Sequence, residues 1–436
     1  MVKRIAVWGA GYMGFTTAAF FANKGVEAVC FDINPNVVKA INEGKPPPHL
    51  ITLGDWLPFS LNDIKHKIHA TSNYREIKDV DANMIAVNTE KDGAPWSKAL
   101  EDVTSKIKQG ISGGLVIIES TIPPSWCRFV TKTLKGFDVA VAPRRDWYDD
   151  PSKTVATIPR VVGADTPEAL EKATNILKVI CEQVVLVSSC EAAALSKSVE
   201  NTQRFLIISL AEELASAYPN VNVNEVLQAS ATKWNFLASR PQIGIGGVCV
   251  PLAPQYLIEG ATSPDELSTV ITALKKWKQR KHSRTVASML RGKKVAVLGL
   301  SYKSDVKVPQ VSPALEMVSY LDNAGTDVYV HDPYFSETEI TTGRWLKYPE
   351  ELSKVDAIVV GVSHSFYKKC PIEFIKKGTL ILDAEWAWAQ YAKALKDAGA
   401  RYLRVGDKGW LELAQQVSQV KSKSKYNSRN KGRSGK

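Results

Sequence analysis

A chain of 436 residues with 44% hydrophobic and 23% charged residues is globular and long enough for two or three domains. Its formal net charge of +11 invites a nucleic-acid or membrane reading, but residues 421–436 hold seven Lys or Arg and no acid, leaving +4 on the other 420. Six cysteines without C-x-x-C pairs or histidine spacing argue against a disulfide framework or a metal site, and no apolar run reaches the ~18 residues of a membrane span. With no signal-peptide pattern at its start, the chain is expected to be soluble and cytoplasmic, without membrane insertion and with free thiols.

The first predicted strand, Lys3–Trp8, runs into Gly9-Ala10-Gly11-Tyr12-Met13-Gly14 and then a helical stretch, Phe15–Asn23. Glycines at these spacings permit a tight turn and close approach to a pyrophosphate, and a helix N-terminus supplies unpaired N–H groups. Gly9, Gly11, Tyr12, Met13 and Gly14 are therefore candidate dinucleotide contacts. A second strand, Glu27–Phe31, ends at Asp32, near the ~20-residue offset at which an acid accepts from the ribose hydroxyls. A carboxylate there repels a 2′-phosphate, so the expected cofactor is NAD rather than NADP. Strands at Asn83–Val87 and Gly114–Glu119 end in Asn88-Thr89 and Ser120-Thr121. In an open parallel sheet the crevice lies beyond such ends, which makes Thr89 and Thr121 candidate ligand contacts. A plain turn role for Thr121, before Ile122-Pro123-Pro124, is the alternative. A Pro143-Arg144-Arg145-Asp146 turn and a strand at Arg160–Val162 complete a first domain, 1–186.

Residues 191–216 contain no Gly or Pro and read as one long helix. Lys197, Asn201 and Arg204 share one of its faces, and the apolar residues Phe205–Ile208 imply burial nearly all round. Then comes Gln242-Ile243-Gly244-Ile245-Gly246-Gly247-Val248-Cys249-Val250-Pro251, whose glycines allow a backbone to approach a ligand and lead straight to a cysteine. Cys249 is a candidate nucleophile; a small buried hydrophobe beside a Gly-rich turn is the equally weighted alternative. Residues 264–290 are again helical, giving a middle domain, 187–290, that joins its neighbours and is expected to form a homodimer.

An internal repeat follows. Lys293–Leu300 echoes Lys3–Ala10, Val328–Asp332 echoes Ala28–Asp32, and Ala357–Gly361 and Thr379–Asp383 match the two later strands. The expected fold class is thus α/β, with two Rossmann-like doubly wound parallel-sheet domains joined by a helical middle domain. The C-terminal domain, 291–420, lacks the full glycine fingerprint after Gly299, so a different nucleotide-like ligand is expected there, with Lys303 as its phosphate contact. The basic run 421–436 reads as a disordered, solvated tail; contact with RNA or an anionic surface, the one place for a nucleic-acid partner, is the alternative.

Taken together, Gly9-x-Gly11-x-x-Gly14, Ser120-Thr121-Ile122-Pro123-Pro124, Lys197-x-x-x-Asn201, Gly244-x-Gly246-Gly247-x-Cys249-x-Pro251 and Leu298-Gly299-Leu300-Ser301-Tyr302-Lys303 resemble the UDP-glucose/GDP-mannose dehydrogenase family, in the family's order over residues 1–410. Val362-Ser363-His364 leans toward the subgroup acting on UDP-N-acetylhexosamines. The resemblance implies oxidation of a nucleotide sugar's C6 alcohol to a carboxylate with two NAD, through a cysteine-bound thiohemiacetal and thioester. It implies Cys249 as nucleophile, Lys197 and Asn201 as oxyanion donors, and Thr121 as holder of a water or of the nicotinamide. Lys197, Asn201, Gly244, Gly246 and Lys303 would contact the substrate, with no metal. The chain also departs from the family: Ala253 and Arg144 stand where it has a catalytic Asp and a Glu, Val248 replaces a His or Tyr, and Lys307-Val308-Pro309-Gln310 replaces an Asp-Asp-x-Arg stretch. Asp146, Asp149 and Asp150 are candidates for a displaced carboxylate. Two other readings follow, a dehydrogenase for a more anionic substrate bound by Arg144 and Arg145, and a non-catalytic sensor of nucleotide sugar or NAD.

Overall fold

The computed structural model describes residues 2–48, 50, 56–147, 150–279 and 282–411, so Asp149 and the basic run 421–436 lie outside the described residues. The chain divides into two compact units, Met1–Thr202 with Leu252–Ile271, and Gln203–Pro251 with Thr272–Lys436.

The first unit is built on an eight-stranded sheet. Its strands are β1 (Arg4–Trp8), β2 (Glu27–Phe31), β3 (Ile68–Thr71), β4 (Ala82–Ile85), β5 (Leu115–Ile118), β6 (Asp138–Val141), β7 (Arg160–Ala164) and β8 (Val184–Leu186). Their order is β8-β7-β6-β5-β4-β1-β2-β3, parallel throughout except where β6 meets β7. Strands buried on both faces need apolar residues at every position, and Leu115-Val116-Ile117-Ile118 shows why β5 is a continuous apolar run rather than an alternating one. Alternate residues feed two cores: Ile5 and Val7 enter one, Ala6 and Trp8 the other. Helix α1 (Tyr12–Asn23) follows β1 directly and buries nine of its twelve residues. It begins three residues earlier than the apolar pattern indicates, so the last glycine of the fingerprint lies inside the helix.

The second unit carries a six-stranded, all-parallel sheet, ordered β11-β10-β9-β12-β13-β14, from β9 (Lys294–Leu298), β10 (Asp327–His331), β11 (Arg344–Trp345), β12 (Ala357–Val360), β13 (Leu380–Asp383) and β14 (Arg401–Arg404). The expected repeat extends to individual bonds. Gly9 N–H donates to Phe31 O at 2.8 Å and Gly299 N–H to His331 O at 2.8 Å. Ala10 N–H donates to Asp32 at 2.8 Å and Leu300 N–H to Asp332 at 2.6 Å. In both copies a strand-end acid ties down the turn after the first strand.

The long helix α2 (Cys190–Ala217) fulfils the Gly- and Pro-free prediction, and α3 (Cys249–Gly260) begins at the cysteine itself. The predicted helical stretch 264–290 comprises a short 3-10 turn, Pro264–Leu267, then helices Ser268–Gln279 and His282–Leu290. Among the described residues no helix is long and apolar enough to cross a membrane.

Candidate active site

The turn between β1 and α1 divides labour among its glycines. A Cβ on Gly9, whose φ is +93°, would stand 2.5 Å from Ala86 O, and one on Gly14 would stand 1.8 Å from Gly9 O. Those two glycines let backbone touch backbone. At Gly11 a Cβ would meet nothing within 4 Å, so that position faces open space, and no side chain caps the helix there. The first N–H groups of α1, that of Gly14 among them, are the donors a helix leaves for an anion. Asp32 accepts from Ala10 N–H and from Asn34 N–H at 2.8 Å each and stays half-buried, with lone pairs remaining for ribose hydroxyls. These residues fit a dinucleotide.

Thr89 departs from expectation. Its hydroxyl, 6% exposed, donates to Thr121 O at 2.7 Å and lies 2.7 Å from the hydroxyl of Tyr256, which also reaches Thr89 O at 2.8 Å. It is a brace between a strand end and α3 rather than an open ligand contact. Thr121 is half-buried at the strand end as expected, with its carbonyl serving Thr89. On α2, half-buried Lys197 and buried Asn201 lie one turn apart on one face. Arg204, the third residue of that face, is exposed.

The Arg144-Arg145 pair is not an anion site. Arg144 is 3% exposed and bonds to Met13 O, Thr16, Thr17 and Asp146, so its charge is spent inside the fold. Arg145 donates to Pro159 O at 2.7 Å and pairs with Glu200 at 2.9 Å. The structural basis for a more anionic substrate is thereby removed. Nor is Asp146 a spare base: burial alone would raise its pKa, but the Arg144 guanidinium outweighs that and holds the carboxyl below its usual value. Asp150 accepts from Ser152 N–H and hydroxyl, at 2.9 and 2.6 Å.

In the second unit, the glycines before Cys249 have a different explanation from ligand approach. A Cβ on Gly246 would fall 2.8 Å from Pro313 Cδ and one on Gly247 2.6 Å from Tyr302 Cε2, while Gly244 faces Pro313 at 3.1 Å. The loop is pressed against protein, and Gly247 N–H donates to Val311 O at 3.1 Å. Its product is the placement of Cys249, exposed and first in α3. The other five cysteines are buried; burial pushes Cys30, Cys190 and Cys370 up to about 12 and Cys181 up to about 11, and raises Cys127 as well. Of the two readings of Cys249, the buried hydrophobe is excluded. Ala253, by contrast, is 1% exposed within α3. Lys303 is half-buried in the turn after β9, where the repeat places it.

The bonds absent from the sequence reading are Tyr256 to Thr89, 167 positions apart, and Arg144 to Met13, 131 apart. No local pattern encodes contacts at such separations.

A glycine turn shaped for a pyrophosphate, an open strand-end acid and a second nucleotide-type sheet define an NAD-dependent oxidoreductase with a separate place for its substrate's nucleotide. Comparison with known proteins narrows the class. Residues 3–181 match the NAD binding domain of the UDP-glucose/GDP-mannose dehydrogenase family, 191–279 its central domain and 296–390 its UDP binding domain. Protein CapL of Staphylococcus aureus is 30% identical over 418 residues, covering 88% of this chain and 96% of that protein. UDP-N-acetyl-D-mannosamine dehydrogenase of Pyrococcus horikoshii is 29% identical over 401 residues, 86% of this chain and 92% of the relative. A solved structure of the UDP-D-ManNAc dehydrogenase from that organism aligns with a TM-score of 0.78 at 26% identity, over 93% of this chain and 99% of its own. The chain belongs to the UDP-glucose/GDP-mannose dehydrogenase family and is an NAD-dependent nucleotide-sugar dehydrogenase acting on CH–OH groups.

Proposed function

We propose that this chain oxidises the C6 alcohol of a UDP-sugar, a UDP-N-acetylhexosamine or UDP-glucose, toward the uronic acid by covalent capture on Cys249. The observation that carries the reading is the exposure of this one thiol of six, at the head of a helix. Several relatives are named for UDP-N-acetyl-D-mannosamine or UDP-N-acetyl-D-glucosamine, which favours the hexosamines. NAD, when bound, accepts hydride, two equivalents for each substrate. The chain's own groups do the rest. The glycine turn and Asp32 hold the dinucleotide, with Tyr12 and Met13 in the same turn, and Lys303 neutralises phosphate on the nucleotide sugar. Cys249 Sγ adds to the C6 carbonyl, forming a C–S bond and an alkoxide, and Lys197 and Asn201 donate to that oxygen. Thr121 orients a water or the nicotinamide.

Releasing the product breaks the C–S bond of a thioester with water, leaving a carboxylate and the thiol. The two positions the resemblance assigns to acids hold Ala253, buried in α3, and Arg144, bonded into the fold. A guanidinium stays protonated and cannot act as base. Release is therefore the slow step. The assembly is a homodimer formed through residues 191–290, and the middle segment 187–290 acts as a functional domain of its own. NADH formation on mixing the protein and NAD with a panel of nucleotide sugars tests the assignment; no NADH with any of them refutes it.

A further inference from the structure

Helix α1 rests on a buried polar network whose hub is Arg144. Its Nη1 donates to Met13 O at 2.9 Å and to Thr17 Oγ1 at 2.5 Å, and its Nη2 donates to Thr16 Oγ1 at 3.0 Å. Its Nε donates to Asp146 Oδ1 at 2.9 Å, and Nη2 makes a second bond to the same carboxylate. Thr17 passes the chain on, donating to Glu119 Oε2 at 2.5 Å, and Glu119 in turn pairs with Arg160 at 2.5 Å. Two guanidinium groups face two carboxylates, so the network is close to neutral. It gives direction to the helix more than it adds field.

That direction acts where the cofactor binds. Met13 is the second residue of α1, so the carbonyl that Arg144 holds belongs to the Met13–Gly14 peptide. The N–H of that peptide is one of the first-turn donors left without a partner in the helix. A charged donor on a carbonyl polarises the amide and strengthens the N–H on its other side. The same fork grips Thr16 and Thr17, which prevents the first turn from tilting.

We infer that Arg144 is a positioning residue for the pyrophosphate of the dinucleotide, acting through the Met13–Gly14 peptide at the start of α1. The inference depends on NAD binding by the first unit and is independent of which sugar is oxidised.

Arg144→Lys keeps a positive charge beside Asp146 but cannot bond Met13 O, Thr16 and Thr17 together. Titration calorimetry on the full chain would compare NAD with adenosine, which lacks the pyrophosphate. The expected result is NAD affinity weakened roughly tenfold, with adenosine affinity changed by less than about twofold. Equal weakening of both ligands, or unchanged NAD affinity with a lowered melting temperature, would overturn the inference by making Arg144 a structural residue alone. Should that variant not fold, Asp146→Asn decides. It takes one of the two acceptors from the Arg144 fork and so loosens its aim, and NAD should bind about two- to tenfold more weakly while adenosine does not. Unchanged NAD affinity, or equal weakening of both ligands, in Asp146→Asn overturns the inference.

Discussion

His364 donates its Nε2–H to Asp332 at 3.0 Å with both side chains wholly buried, its tautomer fixed by the N–H of Asp305 bonding to Nδ1 at 2.8 Å. Asp32 holds the same place in the first copy of the repeat and, among the described residues, its carboxylate receives backbone N–H groups alone. One acid is left with room for a ribose and the other is stoppered by an imidazole.

NAD should accordingly bind once per chain and in preference to NADP. Asp32→Ala should reduce the preference by roughly tenfold, the scale of one hydrogen bond to a charged group. Calorimetry with each cofactor measures this, and equal affinity of the unaltered protein for both would remove Asp32 from the role.

Slow thioester release predicts a rapid burst of NADH followed by sluggish turnover, with a substrate adduct on Cys249 in the intact mass. Missing acid–base assistance costs roughly 10²- to 10⁴-fold in the affected step. Cys249→Ser should abolish both the steady rate and the adduct. Fast, linear turnover without a burst would mean that another carboxylate has taken over.

The outer face of α2 leaves Leu195, Val199 and Leu210 between 42% and 53% exposed, an arrangement that favours a partner helix. Sedimentation at micromolar concentration should give twice the chain mass, and Leu210→Glu should shift it toward monomer. A monomeric mass for the unaltered protein defeats the dimer.

Glu212 sets a pH dependence. It is 7% exposed, its Oε1 has no hydrogen-bond partner among the described residues, and burial, with help from Glu213, pushes its pKa up to about 8. The folded chain therefore holds a proton there that the unfolded chain gives up near pH ~4.3. The associated stability is fully present below that lower value and is lost as pH rises toward 8. Glu212→Gln should raise stability by about 1–3 kcal/mol at alkaline pH and hardly alter it at pH ~4. Thermal melts across that range check it, and a uniform shift at all pH values would contradict the titration.

What could be read in advance was whatever repeats at short range. The apolar runs of β1, β2 and β5, the Gly9–Gly14 turn, Asp32 and the duplicated Leu298–Leu300 stretch each carry their structure within a few residues. Arg144 could not be read that way, because whether a guanidinium turns outward to an anion or inward to Met13 depends on which carbonyls the fold brings beneath it. Thr89 failed for the same reason, its partner Tyr256 lying on a distant helix. The glycines before Cys249 were legible as sites of close approach, but what approaches, Tyr302 and Pro313, was not.

With five thiols sealed in apolar surroundings and Cys249 alone at the surface, oxidative damage to this protein has one principal address. A mild oxidant or an alkylating label would strike once per chain, and under the proposed capture by Cys249 loss of activity would follow that single event in simple proportion. A sulfenic acid formed there is recoverable by thiols, whereas further oxidation is final, so the same exposure that would equip the residue for the proposed capture also makes the protein's working life sensitive to peroxide.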